Sequence, residues 1–477
     1  MKIFKLFIDE NIKTWKKFST KLAIFLIFLA LIAALGMAKI TQNLDAKNNG
    51  QTVYYEGNWK EDVEAEIKSY KEQLNNSSLS EFEKKQIENE IIIDEIRIQK
   101  NINSYSTNWK NTVLGNMSLE IDEDLLELVI NDDFKGYINH EKEQAKKKLT
   151  NKEISQAEYD DNISILDLRE KYQIGNENTN SDSISAKSYI LGKITNEKKS
   201  IRTGLNYQNN KVLTAEEKRK YEDDIKINIY KLENNILDDE GYSTDTNYRK
   251  LFESIAPSFV MTLTAIFAII IAGGAISAEV STGTIKFWAL TPNKRWKIIT
   301  AKLLSILFYI TVVIVIMALL SAIVANVFFQ EKGSIYLYTK NGEVKQIGNT
   351  LYTIELYLAK GIPVVMFALF AAMLSTITRN TGVSVSLSMA LYMGEGIAML
   401  IINQFIKKDW IRFVPFNNLD IADKIFNKST SAIQLMANGS DSFATSTSLG
   451  FSLGVLGVCA ILMLVTMYDS FNKRDII

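Results

Sequence analysis

Histidine and cysteine, which often take part in catalysis and metal binding, are scarce in this 477-residue sequence. The chain has one histidine, His140, and one cysteine, Cys459, so neither a histidine-based zinc centre nor an intrachain disulfide is available. A phosphate-binding loop requires Gly-x-x-x-x-Gly-Lys-Ser/Thr. The nearest candidate, Gly192 to Ile194, has Lys187 in place of the first glycine and lacks the hydroxyl residue. We therefore predict that the chain is not an enzyme, hydrolyses no ATP itself and binds no cofactor of its own.

One acidic residue lies inside an apolar stretch. Glu395, flanked by Gly394 and Gly396, interrupts an otherwise uncharged run. A charge at the centre of a membrane helix costs roughly 2.5–3.5 kcal/mol on insertion scales, and such residues usually face a protein interior or an aqueous path. Glu395 is therefore a candidate for a transport pathway. The alternative is a protonated or serine-paired structural glutamate, with glycines that permit close helix packing.

Six uncharged runs are long enough to cross a hydrocarbon core of about 30 Å. They are residues 22–38, 254–278, 303–330, 361–378, 382–406 with the interruption at Glu395, and 442–468. The first could be a signal peptide, but it lacks a small-x-small cleavage site with a following turn, so we predict an uncleaved anchor. The predicted fold is all-α: a six-helix polytopic membrane protein.

The distribution of lysine and arginine predicts the orientation of these runs. Six lysines precede the first run, and five basic residues lie between Glu279 and the third run, where Glu279 is the only acid. Basic residues accumulate in cytoplasmic loops, so both termini are predicted to be cytoplasmic. Arg379 and the basic pair at 473–474 fall on the same side, whereas a smaller basic group at 407, 408 and 412 falls outside. We expect a multi-pass protein of a bacterial cell membrane.

Residues 1–21 have the pattern of an interfacial amphipathic helix. Phe4, Ile8, Ile12 and Trp15 recur at helical spacing, and lysines occupy much of the remaining surface. Such a helix lies in the plane of the membrane surface. The alternative is a cytoplasmic helix that packs on another loop.

Residues 41–253 follow the first predicted span, 22–40, and are predicted to form an extracellular helical domain. The segment has no proline and little glycine, and Val63, Ile67, Tyr70 and Leu74 repeat at helical spacing, as do Ile225, Ile229, Leu232 and Ile236. Three Ser/Thr-x-x-Glu motifs predict that the second helices of helical hairpins begin at Ser80, Thr150 and Thr214. Recurrence of a good helix start explains this similarity more simply than functional duplication.

The loop 279–302, within the predicted membrane domain 254–477, places Phe287 and Trp288 on the cytoplasmic side. Exposed apolar surface is costly unless it is covered, and aromatic residues are enriched at interface centres. Both rings could equally lie in the lipid interface, where tryptophan is common. The residues alone leave these two alternatives open.

This loop resembles the signature of type-2 ABC exporter permeases: an acid ending the second span, Gly-Thr, a short apolar helix, proline, a basic residue, and a lysine opening the third span. The matching residues are Glu279, Gly283, Thr284, Leu290, Pro292, Arg295 and Lys302. The resemblance implies that Thr284 to Leu290, which includes Ile285, Lys286, Phe287 and Trp288, is a coupling helix that docks in a cleft of an ABC ATPase. The large segment 41–253 distinguishes the chain from compact members of that family.

We therefore expect a permease subunit of an ATP-driven exporter of a peptide, lipid or drug-like substrate. Its expected partners are a separate ABC ATPase, which would bind ATP and magnesium, a second permease subunit, identical or different, and membrane lipid. The net charge of -1 does not provide the excess of positive charge that is typical of proteins that bind nucleic acid.

The alternative function is that of a non-transporting module, which passes ATPase motion to the ectodomain to regulate cell-envelope or signalling partners. A plain adhesion or scaffold protein would leave the loop 279–302 unexplained.

Overall fold

The computed structural model describes residues 2–48, 59–75, 79–106, 108–176, 186–207, 210–237, 248–285, 294–329, 335–340, 342–405, 409–426 and 447–473. These residues are mostly helical and include one two-stranded sheet. The chain divides into two compact units, one formed by 1–44, 247–336 and 346–477, the other by 45–246 and 337–345.

The first unit contains the apolar helices. It begins with α1 (Lys2–Lys16) and α2 (Phe18–Asn48) and continues after the second unit with α11 (Tyr248–Gly273), α12 (Ser277–Ser281), α13 (Arg295–Phe328), α14 (Asn349–Thr378), α15 (Thr381–Phe405), α16 (Ile421–Phe426) and α17 (Leu449–Lys473). Two 3-10 turns, Asp409–Phe413 and Pro415–Asn418, precede α16.

Five of the described helices, α2, α11, α13, α14 and α17, are long and apolar enough to cross a membrane. They coincide with five of the six predicted runs, which confirms that the chain is a mainly helical protein with several candidate membrane spans. The remaining run forms α15, a 25-residue helix that carries Glu395 and is not among the five. The count of six spans therefore stays a prediction.

Small residues allow the long helices to approach one another. A Cβ atom added to Gly361 of α14 would lie 2.6 Å from Cδ1 of Ile314 on α13. One added to Gly273 of α11 would lie 2.7 Å from Cγ2 of Val385 on α15. At distances this short, a larger residue would require the contacting side chain to shift. Small residues at such crossings are typical of helix pairs in membranes, where close van der Waals packing drives association.

The second unit contains α3 (Trp59–Leu74), α4 (Glu81–Gln99), α5 (Trp109–Gly115), α6 (Glu123–Ile130), α7 (Phe134–Thr150), α8 (Gln156–Lys171), α9 (Ala186–Thr203) and α10 (Ala215–Glu233). Three pairs of successive helices, α3 with α4, α7 with α8, and α9 with α10, pack as hairpins. Trp109 is fully buried and stacks on Tyr137, with ring centroids 4.9 Å apart. The predicted helical character of residues 41–253 is confirmed within these described elements.

Two of the three predicted helix starts are confirmed and one is wrong. Ser80 and Thr214 are N-caps with complete capping boxes, in which the hydroxyl and the glutamate three residues later satisfy each other's backbone amides. Thr150 instead ends α7, and its hydroxyl donates to the carbonyl of Lys146 at 2.9 Å. The next helix begins after Ser155, whose hydroxyl accepts from the amide of Glu158 at 3.2 Å.

The two strands were not predicted from the sequence. β1 (Tyr336–Lys340) and β2 (Glu343–Ile347) pair next to a turn in which Gly342 has a φ of +84°. This left-handed conformation is readily adopted by glycine.

Candidate functional site

A partly buried ion pair joins the two ends of the predicted coupling segment. Glu279 lies on the short helix α12, and Lys302 lies in the second turn of α13. The ammonium of Lys302 donates to Oε1 of Glu279 at 2.7 Å, and Lys302 is only 6% exposed. The segment 280–301 therefore begins and ends at a single charged contact inside the protein.

Glu10 of α1 completes this arrangement. The same ammonium lies 3.1 Å from Oε2 of Glu10, which is also buried and whose Oε1 is 2.8 Å from Nζ of Lys13. Burial acts to raise the pKa of Glu10, but Lys302 and Lys13 outweigh it, so the pKa lies below its ordinary value. We call Glu10, Glu279 and Lys302 the loop-end cluster.

Aromatic contacts fix α1 against α13 beside this cluster. Phe7 meets Phe308 edge to face with ring centroids 5.7 Å apart, and Trp15 meets Tyr309 at 5.6 Å. Phe4, Ile8 and Ile12 are exposed on another side of α1. The helix thus has one face that packs on the protein and a separate apolar row that the protein leaves open.

Hydroxyl groups hold α12 against α14 and α15. Oγ of Ser375 accepts from the backbone amide of Ser277 at 3.0 Å and from that of Ile276 at 3.3 Å. The hydroxyl of Ser277 is 2.8 Å from that of Thr381, the first residue of α15. Both serines are fully buried. These contacts attach the helix that carries Glu279 to two further long helices.

The described part of the segment turns sharply after α12. Gly283 has a φ of +70°, and the hydroxyls of Thr282 and Thr284 lie 2.9 Å apart. Thr284 also donates to the carbonyl of Glu279 at 3.3 Å, and Ile285 is buried in the main core. The predicted coupling residues Lys286, Phe287, Trp288, Leu290 and Pro292 lie outside the described residues.

The far side of the segment contacts the C-terminal helix. Arg295 begins α13, and its guanidinium donates to the carbonyl of Asn472 at 3.3 Å. One turn and a half later, the hydroxyl of Thr300 is 2.8 Å from that of Tyr468. The elements around the segment therefore include α1, α12, α13, α14, α15 and α17.

Glu395 does not join the loop-end cluster. It is half-buried on α15, 14 residues after Thr381, which corresponds to about 21 Å along a helix. Asp420 is close enough to interact electrostatically with it. One turn earlier on α15, Tyr392 packs edge to face on Phe367, with ring centroids 5.1 Å apart.

A second polar cluster, with Arg249 and Glu253 largely buried and Asn326 exposed, lies at the other end of α13, next to the start of α11. Arg249 and Glu253 form an ion pair within α11, with Nε 2.8 Å from Oε1. Arg249 also donates to Oδ1 of Asn326 at 2.7 Å, and the amide of Asn349 donates to Glu253 at 2.6 Å. We call Arg249, Glu253, Asn326 and Asn349 the far-end cluster.

The sequence predicted Glu279 and Lys302 as residues of the site. It did not predict Glu10, Ser277 and Ser375, which contact the same elements. Glu10 carried one weak signal, because it is one of two acids in a helix otherwise rich in lysine. Its position 292 residues before Lys302 means that no local spacing could indicate the partner.

A comparison with protein families places the C-terminal half in a family without an assigned function. The family model described as "Protein of unknown function (DUF2705)" matches residues 235–477, which are 243 of the 477 residues. Most of the second compact unit lies outside that match.

Two curated proteins of Bacillus subtilis (strain 168) are similar to the chain. "Uncharacterized protein YhcI" is 28% identical over 260 residues, which cover 54% of this chain and 76% of that protein. "Uncharacterized membrane protein YdbK" is 29% identical over 237 residues, 49% of this chain and 85% of that protein. No solved structure matches the chain.

Proposed function

The chain belongs to the DUF2705 family of unknown function, and we propose that it is the membrane permease subunit of an ATP-driven exporter whose ABC ATPase is a separate protein. The observation that carries this proposal is the pairing of Glu279 with the buried Lys302 at 2.7 Å. It closes the ends of the segment whose residues resemble the coupling region of type-2 ABC exporter permeases.

In this proposal, ATP and magnesium stay on the ATPase, and this chain contributes the contact that receives its motion. The ATPase binds Thr284 to Leu290 and displaces the segment as it closes. Separating a buried ion pair typically costs about 3–5 kcal/mol. The force on the segment is therefore transmitted through Lys302 and Glu10 to α13 and α1, which move together with α12.

The sixth span and the orientation belong to the same proposal. We assign α15 as the sixth span, both termini to the cytoplasm, and residues 41–253 to the outside. α2 begins at Phe18, two residues after α1 ends, so α1 lies at the level where the chain enters the membrane. Its exposed row of Phe4, Ile8 and Ile12 then contacts lipid, and exposed Lys5 and Lys16 lie beside that row on the helix surface.

The transport pathway requires a second permease subunit, identical or different, and Glu395 is the residue we assign to it. The substrate class in this proposal is a peptide, lipid or drug-like molecule.

The second function to consider is a non-transporting module that passes ATPase motion to the ectodomain and so regulates cell-envelope or signalling partners. The observation that favours it is the separate helical unit 45–246, most of which lies outside the family match.

The central experiment tests the contact with the ATPase. Phe287→Asp places a carboxylate in a desolvated pocket, and Trp288→Ala removes an interface aromatic that typically contributes at least ~2 kcal/mol. Each change should reduce co-purification of the ATPase in detergent and transport-coupled ATPase activity, without affecting membrane insertion. Trp410→Ala is the matched control, because Trp410 is an exposed tryptophan of the 3-10 turn Asp409–Phe413, outside the segment 279–302. Full association and activity in both test variants would show that the coupling assignment is wrong.

Efflux from vesicles separates the two functions. ATP-dependent loss of substrate from vesicles supports export, whereas ATPase coupling without efflux supports the regulatory module.

Glu395→Gln should retain expression and ATPase association but change transport or its pH dependence. Loss of folding in that variant would assign Glu395 a structural role instead.

Labelling of intact cells tests the orientation. In a Cys459→Ser background, a cysteine that replaces the exposed Asn75 of the second unit should react with an impermeant thiol reagent, and one that replaces Asn293 should not. The reverse pattern would require the opposite orientation of all proposed spans.

A further inference from the structure

A half-open apolar cavity of about 170 Å³ lies among the long helices of the first unit. Its walls come from α14, α15 and α17, and the 3-10 turn Pro415–Asn418 with the following residue closes one side. The lining side chains are all apolar or sulfur-containing: Met366, Phe367, Phe370, Leu391, Pro415, Phe416, Leu419, Cys459 and Met463.

The chemistry of this lining determines what the cavity can hold. An internal water needs two to four polar partners, and the exposed lining of this cavity offers none. Dry apolar cavities of about 150 Å³ are known to bind benzene. A space of this size and composition therefore favours a small hydrocarbon group over water or an ion.

The cavity walls are held in place by aromatic packing. Phe367 is 3% exposed, and its ring lies edge to face with Tyr392 and nearly parallel to Phe416, with centroids 5.1 and 6.5 Å away. Leu391 lines the cavity four residues before Glu395, so both residues lie on the same face of α15. The cavity is thus next to the residue that we assign to the transport pathway.

We propose that this cavity is a binding site for a hydrocarbon group about the size of a benzene ring, such as an aromatic ring or the end of an acyl chain. The site recognises shape and apolarity without hydrogen bonds. The binding itself does not depend on transport, whereas its assignment to a part of the exported molecule rests on the proposed function.

Methionine methyl groups report on occupancy directly, because Met366 and Met463 both line the cavity. Full-length protein with ¹³C-labelled methionine methyls, in detergent micelles, is titrated with benzene and followed by NMR. The signals of Met366 and Met463 should shift and saturate. Met393, which is 69% exposed, and the buried Met317 of the α13 core serve as references. Linear shifts at Met366 and Met463 that parallel those of Met393 would reflect only partition into micelles and would overturn the proposal.

Substitutions at Cys459 provide the matched variants. Cys459→Phe should fill the cavity and abolish the saturable shifts, whereas Cys459→Ala enlarges the cavity and should retain them. Leu419→Phe adds a larger side chain at another lining position and replaces Cys459→Phe if that variant does not fold. Saturable benzene binding that survives in a folded filling variant would contradict the assignment of the site.

Analysis of molecules that co-purify with the protein distinguishes the sources of the group. A lipid that is retained by the wild type and Cys459→Ala but lost from Cys459→Phe would identify an acyl chain. Saturable benzene binding without such a lipid would identify an apolar group of another ligand. ATPase association should be equal in all of these variants, so failure of this proposal is distinguishable from failure of the coupling proposal.

Discussion

The two polar clusters of the first unit lie at opposite ends of α13 and hold the neighbouring elements by different means. In the loop-end cluster, Glu10, Glu279 and Lys302 come from three separate elements, so each ion pair crosses between elements. In the far-end cluster, the Arg249–Glu253 ion pair lies within α11, and the neighbouring helices contribute the neutral amides of Asn326 and Asn349. Lys302 and Asn326 are 24 residues apart on α13, which corresponds to about 36 Å.

This difference determines what happens when the helices move. If α13 or α14 shifts at the far end, Arg249 and Glu253 remain paired within α11, while their hydrogen bonds to Asn326 and Asn349 change. If α1, α12 or α13 shifts independently at the loop end, opposite charges separate in a buried environment, which typically costs several kcal/mol. The loop end is therefore suited to transmit motion, and the far end to tolerate it.

The largest expected effect is that of Lys302→Met. The change removes the cation that the partly exposed Glu279 shares with the buried Glu10, although Glu10 keeps its contact with Lys13. Removal of one partner from a buried pair typically costs about 3–5 kcal/mol. Thermal unfolding in detergent should show a lower midpoint than for Lys294→Met, which removes an exposed lysine just before α13. Equal stability of the two variants would mean that the loop-end pairs contribute little, and the contrast between the clusters would fail.

A smaller effect is expected for Glu253→Gln at the far end. The glutamine keeps the shape and can still accept from Asn349, and Arg249 keeps its contact with Asn326. Hydrogen bonds to charged groups typically contribute about 1.5–3 kcal/mol, so the unfolding free energy should fall by no more than this. Coupled ATPase activity should be unchanged, whereas the matched Glu279→Gln should reduce it. Loss of coupling in both variants would show that the two ends do not differ in role.

The smallest effect is the pH dependence that Glu10 confers. Its pKa is lowered in the folded protein by Lys302 and Lys13 despite burial, so its ionised form contributes stability above its ordinary pKa of 4.5. This contribution should be lost as the pH falls from about that value through the lower folded-state pKa. Unfolding midpoints measured at successive pH values should show a steeper acid-side decline for the wild type than for Glu10→Gln. Identical profiles would remove Glu10 from the loop-end cluster as a charged partner.

The apolar helices were the part of the fold that the sequence predicted best, because an uncharged run of this length has few alternatives to a buried or membrane helix. The fourth predicted run began at Gly361, but the helix begins at Asn349 and includes Glu355 and Lys360. A rule based on uncharged residues cannot detect a helical turn that continues through charged positions.

Local motifs were predicted less well where two patterns competed. Thr150 and Ser155 each have a glutamate three residues later, and the spacing alone does not distinguish them as helix starts.

The two strands could have been predicted from the sequence, because Asn341-Gly342 between alternating residues is typical of a tight hairpin turn. Contacts that join distant segments, such as Glu10 with Lys302 and Ser375 with Ser277, are set by tertiary packing and leave no local pattern.

The position of Glu10 also sets an order of events during synthesis. Glu10 is made first, and Lys302 follows 292 residues later. At about 5–20 residues per second, the ribosome needs on the order of 15–60 s to supply that partner. Throughout this interval the partner that α13 supplies to Glu10 does not yet exist. Docking of α1 on α13 therefore follows synthesis of the third apolar helix.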